Sequence, residues 1–251
     1  MNFFRKIFIS ACICLFLVQL NACTKNSATL TYLPVDTSVR PSPPFIPNPN
    51  IPNTYRFLAL GDSYTIGESV DSASRFPAQT VALLNNKYVF SPIQYIAVTG
   101  WTTANLQSGI ASVNPTGKFD VVTLLIGVND QYRGFSIDGY KTRFTQLLQH
   151  SIAFANNKPS HVFVLSIPDY SVTPFAQFSD KQKISKEIDA FNTVNKELTN
   201  NFLCNYIDIT PSTRNAATDG SLLASDGLHP SRKEYAKWAN NLAMRIQSVL
   251  K

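Results

Sequence analysis

Five short runs of apolar residues, at 55–60, 93–98, 119–126, 161–167 and 204–209, recur along this chain, separated by longer amphipathic stretches. Each run is nearly continuous in hydrophobicity. That is the pattern of a strand buried on both faces, because a strand with one wet face alternates apolar and polar residues. The intervening stretches have helical character near 74–87, 103–112, 137–156 and 180–201, and a last one follows at about 231–250. Strand followed by helix, five times over, predicts a parallel sheet of about five strands with helices on both faces, a three-layer α/β/α sandwich. Ligands in such sheets bind in the crevice beyond the carboxyl ends of the strands. The polar residues directly after each run are therefore where chemistry is to be sought.

The residues before 55 stand outside that pattern. Arg5 and Lys6, an apolar run over 7–20 and then Leu20-Asn21-Ala22-Cys23 have the layout of an export signal. The run falls short of the roughly 20 residues of a membrane span. The tetrapeptide resembles a bacterial lipobox, in which the cysteine becomes the acylated first residue of the mature protein. The expectation is a signal peptide over 1–22, a lipid-anchored tether over 23–54 that starts at Cys23, and one domain over 55–251, exported and held to a bacterial membrane. An ordinary cleaved signal with an incidental Cys23 is the alternative. Pro34, Pro41, Pro43, Pro44, Pro47, Pro49 and Pro52 suit a tether, since proline removes backbone donors and favours extended polyproline II. Cys12 and Cys14 would leave with the signal. Cys204 alone would remain in the domain, and it reads as a small buried hydrophobe rather than a nucleophile.

The formal charge of +6 raises the question of a nucleic-acid partner. Loss of Arg5 and Lys6 with the signal leaves +4, and the remaining cations are scattered singly. Phosphate binding needs several cations gathered on one face, so nucleic acid is not expected.

Four polar clusters follow the runs. Gly61-Asp62-Ser63-Tyr64 places a hydroxyl at the end of the first strand, where a turn serine capping the next helix is the plain structural alternative. Thr99-Gly100-Trp101-Thr102-Thr103 follows the second, and its glycine lets a backbone N–H approach a substrate oxygen. Gly127-Val128-Asn129-Asp130 closes the third with an amide able to donate to a developing oxyanion. Asp226-Gly227-Leu228-His229-Pro230 stands just before the last helix, where one loop can present a base and the acceptor that fixes its tautomer. His161 opens a strand and His150 falls in an amphipathic helix, so neither suits this edge.

Together, in this order and at these places, the clusters resemble the four blocks of the SGNH (GDSL-like) hydrolase superfamily across essentially all of residues 55–250. The resemblance implies a flavodoxin-like α/β/α fold, an esterase activity and no cofactor. It implies Ser63 as nucleophile, His229 as base and Asp226 as its orienting acid, with an oxyanion hole from the backbone N–H groups of Ser63 and Gly100 and the side-chain amide of Asn129. Tyr64 stands where the family often has leucine. Trp101 and Tyr132 are candidates for the substrate wall, with Arg133 next to Tyr132, and residues 168–175, ending in Phe175, follow the fourth strand on the same edge. Short-chain acyl esters or acetylated carbohydrates are the expected substrates; a lysophospholipase or thioesterase, or a binding lipoprotein without turnover, are the alternatives. A Gly-x-Ser-x-Gly elbow is absent, because Thr65 holds the place of its second glycine. Asp226 and His229 alone would supply only two ligands to a metal, so none is expected.

Overall fold

The computed structural model describes residues 54–250; the proposed signal, Cys23 and nearly all of the tether lie outside them. Seven strands and eight helices follow in chain order: β1 (Thr54–Tyr55), β2 (Phe57–Gly61), α1 (Ser63–Ile66), α2 (Phe76–Leu84), β3 (Val89–Phe90), β4 (Gln94–Ala97), α3 (Thr103–Val113), β5 (Val121–Leu125), α4 (Val128–Tyr132), α5 (Ile137–Phe154), β6 (Val162–Leu165), α6 (Lys181–Asn201), β7 (Asn205–Ile207), α7 (Thr210–Arg214) and α8 (Arg232–Val249). The main sheet is wholly parallel, in the order β4-β2-β5-β6-β7. Its three central strands are buried along their whole length, while β4 and β7 at the edges are only partly so. Continuous apolar runs are what two covered faces demand.

From β2 the chain steps outward to β4, then returns across β2 to β5 and continues in that direction to β7. Right-handed crossovers put α3, α5 and α6 on one face and α2 on the other, where α8 packs against it. Trp238, Tyr235, Leu242 and Ile246 of α8 are fully buried in that layer. The reversal between β2 and β5 is the switch point at which such sheets open a crevice. Register makes the crevice narrow. Gly61 lies level with Ala97 on one side and Leu125 on the other, so the loops leaving β2, β4 and β5 start from one rim.

The apolar runs mark burial more faithfully than pairing. Ile126, Ile167 and Ile209 are buried but lie beyond the ends of their strands, where they floor the loops. The run at 55–60 is split. Arg56 leaves the ladder, donating its N–H to Asp120 Oδ2 at 2.8 Å and accepting at its carbonyl from the N–H groups of Asp120 and Val121. Thr54 and Tyr55 before it pair with Val89 and Phe90 in a separate two-stranded sheet that the sequence reading did not contain. Three short helices, α1, α4 and α7, were likewise not expected. At four or five residues they are too short to display a period.

Candidate active site

The turn out of β2 becomes a helix at once, because Asp62 caps it. Its Oδ1 accepts the N–H of Tyr64 at 3.0 Å, and Ser63 is the first residue of α1. The first N–H groups of a helix have no partner inside it, so the backbone N–H of Ser63 is free of its own helix. Ser63 is 4% exposed and its Oγ lies 2.9 Å from Nε2 of His229. His229 Nδ1 lies 2.6 Å from Asp226 Oδ2. The other oxygen of Asp226 accepts the N–H groups of Leu228 and His229, both at 2.9 Å. Partial burial opposes ionisation of Asp226, but the hydrogen bonds from Ser69, His229 and Leu228 outweigh it and hold the carboxyl well below the usual range. A hydrogen-bonded line thus runs from hydroxyl through imidazole to carboxylate, across 166 residues of sequence.

The loop carrying the imidazole is pinned on several sides. Ala224 donates its N–H to the carbonyl of His229 at 2.8 Å, and Leu223 forms a bridge with Pro230. The Tyr64 ring packs against the imidazole with centroids 5.0 Å apart, so the residue that replaces the common leucine forms a wall for the base.

Two further residues line the same cleft, Asn129 and Gly100. Gly127 leaves β5 with φ 129°, and a Cβ there would stand 2.7 Å from both Ile167 Cδ1 and Tyr140 Cε2. Only glycine allows α4 to begin there and bring Asn129 to the rim. The Asn129 amide donates one N–H to the carbonyl of Trp101 at 3.0 Å, and the same amide lies near the Asp62 carboxyl. Gly100, at φ 79°, lines the cleft. Next to Asn129, the fully buried Asp130 accepts Thr103 N–H at 2.8 Å, Thr103 Oγ1 at 2.6 Å and Arg143 at 3.1 Å. Asp130 therefore ties α4 to the start of α3, and with them the two loops that present Asn129 and Gly100.

The cleft above Ser63 holds about 130 Å³ and is lined by Tyr64, Gly100, Val128, Tyr132, Tyr170, Phe175 and Leu228 besides the residues already placed. Tyr132, Tyr170 and Phe175 pack on one another at tilted or edge-on angles, with centroids 5.9–6.2 Å apart. Tyr132 thus lines the cleft and packs on its aromatic neighbours. Trp101 does not line it. Its indole lies on α3, where a Cβ on Gly109 would come within 2.2 Å of Cη2, and only its backbone carbonyl reaches the site. Tyr170 belongs to the loop after β6, which the sequence flagged only as a neighbourhood.

Other candidates fall away from this rim. His161 Nδ1 meets the carbonyl of Asp120 at 2.7 Å, and His150 packs beside Phe154 on α5. Burial pushes the Cys204 thiol up to about 12, which suits a packing role and not a nucleophile. A larger hollow of about 380 Å³ between β7 and α8, around Tyr206, Met244 and Arg245, contains no nucleophile paired with a base. Among the described residues no group of three or more His, Cys, Asp and Glu side chains could hold a metal ion.

Solved structures share this architecture. The crystal structure of TesA superposes with a TM-score of 0.61 at 18% identity, covering 78% of this chain and 99% of that one. An acetylxylan esterase from Geobacillus stearothermophilus gives 0.58 at 18% identity, covering 76% and 94%. A psychrotrophic esterase from Pseudoalteromonas sp. gives 0.55 at 16% identity, covering 77% and 97%. At these identities the likeness is one of fold. No curated protein matches significantly. Residues 59–237 match the GDSL-like Lipase/Acylhydrolase family, a span that contains all four clusters, and the chain belongs to that family as a carboxylic ester hydrolase.

Proposed function

We propose that Ser63 is the nucleophile of an acyl-enzyme mechanism that cleaves short-chain acyl esters or acetylated carbohydrates. Oγ of Ser63 bonds to the ester carbonyl carbon while its proton passes to His229 Nε2. The carbonyl oxygen becomes an oxyanion, held by the backbone N–H groups of Ser63 and Gly100 and by the Asn129 amide. Donors fixed in advance at such a point are worth several kcal/mol of barrier. Collapse expels the alcohol, which takes the proton from His229. Water then repeats the cycle on the acyl-enzyme and releases the acid. Asp226 keeps the imidazole in the tautomer that can accept at Nε2 and stabilises the imidazolium.

The observation that carries the reading is the line Ser63, His229 and Asp226, with contacts of 2.9 Å and 2.6 Å. The size of the cleft supports a small acyl group. At about 130 Å³ it is small beside the clefts of roughly 300 Å³ and more that enclose drug-sized ligands. The aromatic wall of Tyr132, Tyr170 and Phe175 offers flat apolar surface to a sugar ring. One of the similar folds is an acetylxylan esterase. From the sequence we further infer acylation at Cys23, which would tether the enzyme to a membrane.

The test is hydrolysis of nitrophenyl esters from acetate to decanoate beside acetylated xylo-oligosaccharides. Acetate should be turned over fastest and Ser63→Ala should abolish activity. A rate that climbs with chain length would instead identify a lipid hydrolase, and no turnover by either form would identify a binding protein.

A further inference from the structure

We propose that Ser69 is a positioning residue for this site, its hydroxyl completing the hydrogen-bond set of Asp226 from a strap that also holds the Gly100 loop. The inference rests on the serine-hydrolase reading above. The strap is residues 67–70, directly after the helix that carries Ser63. Gly67 closes α1 at φ 68°, and Glu68 returns its N–H to the carbonyl of Ser63 at 3.0 Å. The Glu68 carboxylate then accepts the hydroxyl of Thr99, the residue before Gly100. Ser69 Oγ donates to Asp226 Oδ2 at 2.7 Å, a contact between residues 157 apart in sequence. Val70 packs on the core and donates its N–H to Gly67.

Two features single out Ser69. Its φ is 64°, in the left-handed region that costs a residue with a Cβ and costs glycine nothing. Non-glycine residues persist there when the surroundings over-determine them, and they gather at functional sites. Here the fastening of Glu68 on one side and Val70 on the other does the determining, and the product is one hydroxyl aimed at Asp226. A carboxylate has about four acceptor positions. Asp226 fills them with the N–H groups of Leu228 and His229, the imidazole and Ser69. With Ser69 in place the carboxylate plane cannot turn, and the direction of the imidazole is fixed with it. Without it, Oδ2 keeps only the imidazole, and the pair can rotate about the remaining bonds.

Such a role acts when His229 takes the proton, so it belongs to kcat and not to KM. Ser69 is exposed, so water can partly replace its hydroxyl. The loss in kcat is therefore put at about three- to tenfold, below what a fully buried hydrogen bond to a charged group would cost.

The test uses the full chain and three variants, assayed on nitrophenyl acetate well below the melting temperature. Ser69→Gly removes the hydroxyl and suits the backbone; its melting temperature should equal or exceed that of the parent, while kcat falls and KM holds. Ser69→Thr keeps a hydroxyl but puts a branched Cβ at positive φ; its melting temperature should fall while kcat stays near the parent's. A Ser69→Gly enzyme with unchanged kcat overturns the proposal, as does Ser69→Thr losing as much kcat as Ser69→Gly. Ser63→Ala separates the two levels. If it remains active, the serine-hydrolase reading fails along with this one; if it is inactive, the Ser69 variants decide on Ser69 alone.

Discussion

Asp62 sits beside Ser63 with no solvent exposure. One of its oxygens, Oδ1, caps α1, and the side-chain amide of Asn129 lies close to the carboxyl. Burial, with a smaller push from the neighbouring Asp130, raises its carboxyl from an ordinary 3.8 to about 8. The native chain thus keeps a proton that the unfolded chain gives up. Between those two values the unfolded state binds fewer protons, so the contribution of Asp62 is fully present below about pH 4 and is lost as pH rises towards 8. Asn at this position keeps the capping oxygen and cannot ionise. The melting temperature of Asp62→Asn relative to the parent should therefore climb steadily from pH 5 to pH 8. Melting curves that stay parallel over that range would mean that Asp62 is ionised in the folded protein. Asp226 obeys the opposite sign. Its depressed carboxyl contributes above the unfolded value and the contribution is lost only as pH falls through the folded one, so the line to His229 survives moderate acid.

Among the elements, α3 and α4 adjoin the two loops of the proposed oxyanion site and meet through Asp130. Its pairing with Arg143 is buried on the carboxylate side, and removing one partner of such a pair leaves an uncompensated charge. Asp130→Ala should cost about 3 kcal/mol in urea unfolding and should lower kcat together with stability, because Asn129 and Gly100 lose their common brace. Trp101 gives the contrasting case. Its ring seats α3 through Gly109 and is only partly buried, so Trp101→Ala should cost about 2 kcal/mol and leave KM for acetylated sugars within about twofold. A tenfold rise in KM would return the ring to the substrate. These cases mark what a sequence can carry. The strands β2, β5 and β6 were legible because burial on two faces leaves an unbroken apolar run. Ser63 and Asn129 were legible because each comes just after a strand that the pattern locates, and His229 because it comes just before the last helix. Whether Trp101 turns to the cleft or to α3 depends on a glycine eight residues on, and Ser69 depends on a loop 157 residues away. No local pattern encodes either contact.

Taken whole, the proposed site draws on loops from most of the length of the described domain, those after β2, β4 and β5 and the one before α8. Tyr235 of α8 donates to the carbonyl of Tyr64 at 3.0 Å, so the last helix is bound directly to the helix that begins at Ser63. Every group in the line from Ser63 to Asp226 lies within residues 54–250. The proposed acylation at Cys23 would therefore alter where the enzyme works and not how. A polyproline II tether over residues 24–54 would reach about 100 Å, far enough for the cleft to meet a soluble ester or a polymer without interference from the bilayer. Cys23→Ser should shift the protein from the membrane fraction to the soluble one and end incorporation of labelled palmitate in a bacterial host. The rate on nitrophenyl acetate should stay within about twofold, since no transition-state contact is touched. Unchanged fractionation of Cys23→Ser would exclude the anchor. Correct release with a large fall in rate on the soluble ester would show instead that the N-terminal stretch takes part in the site.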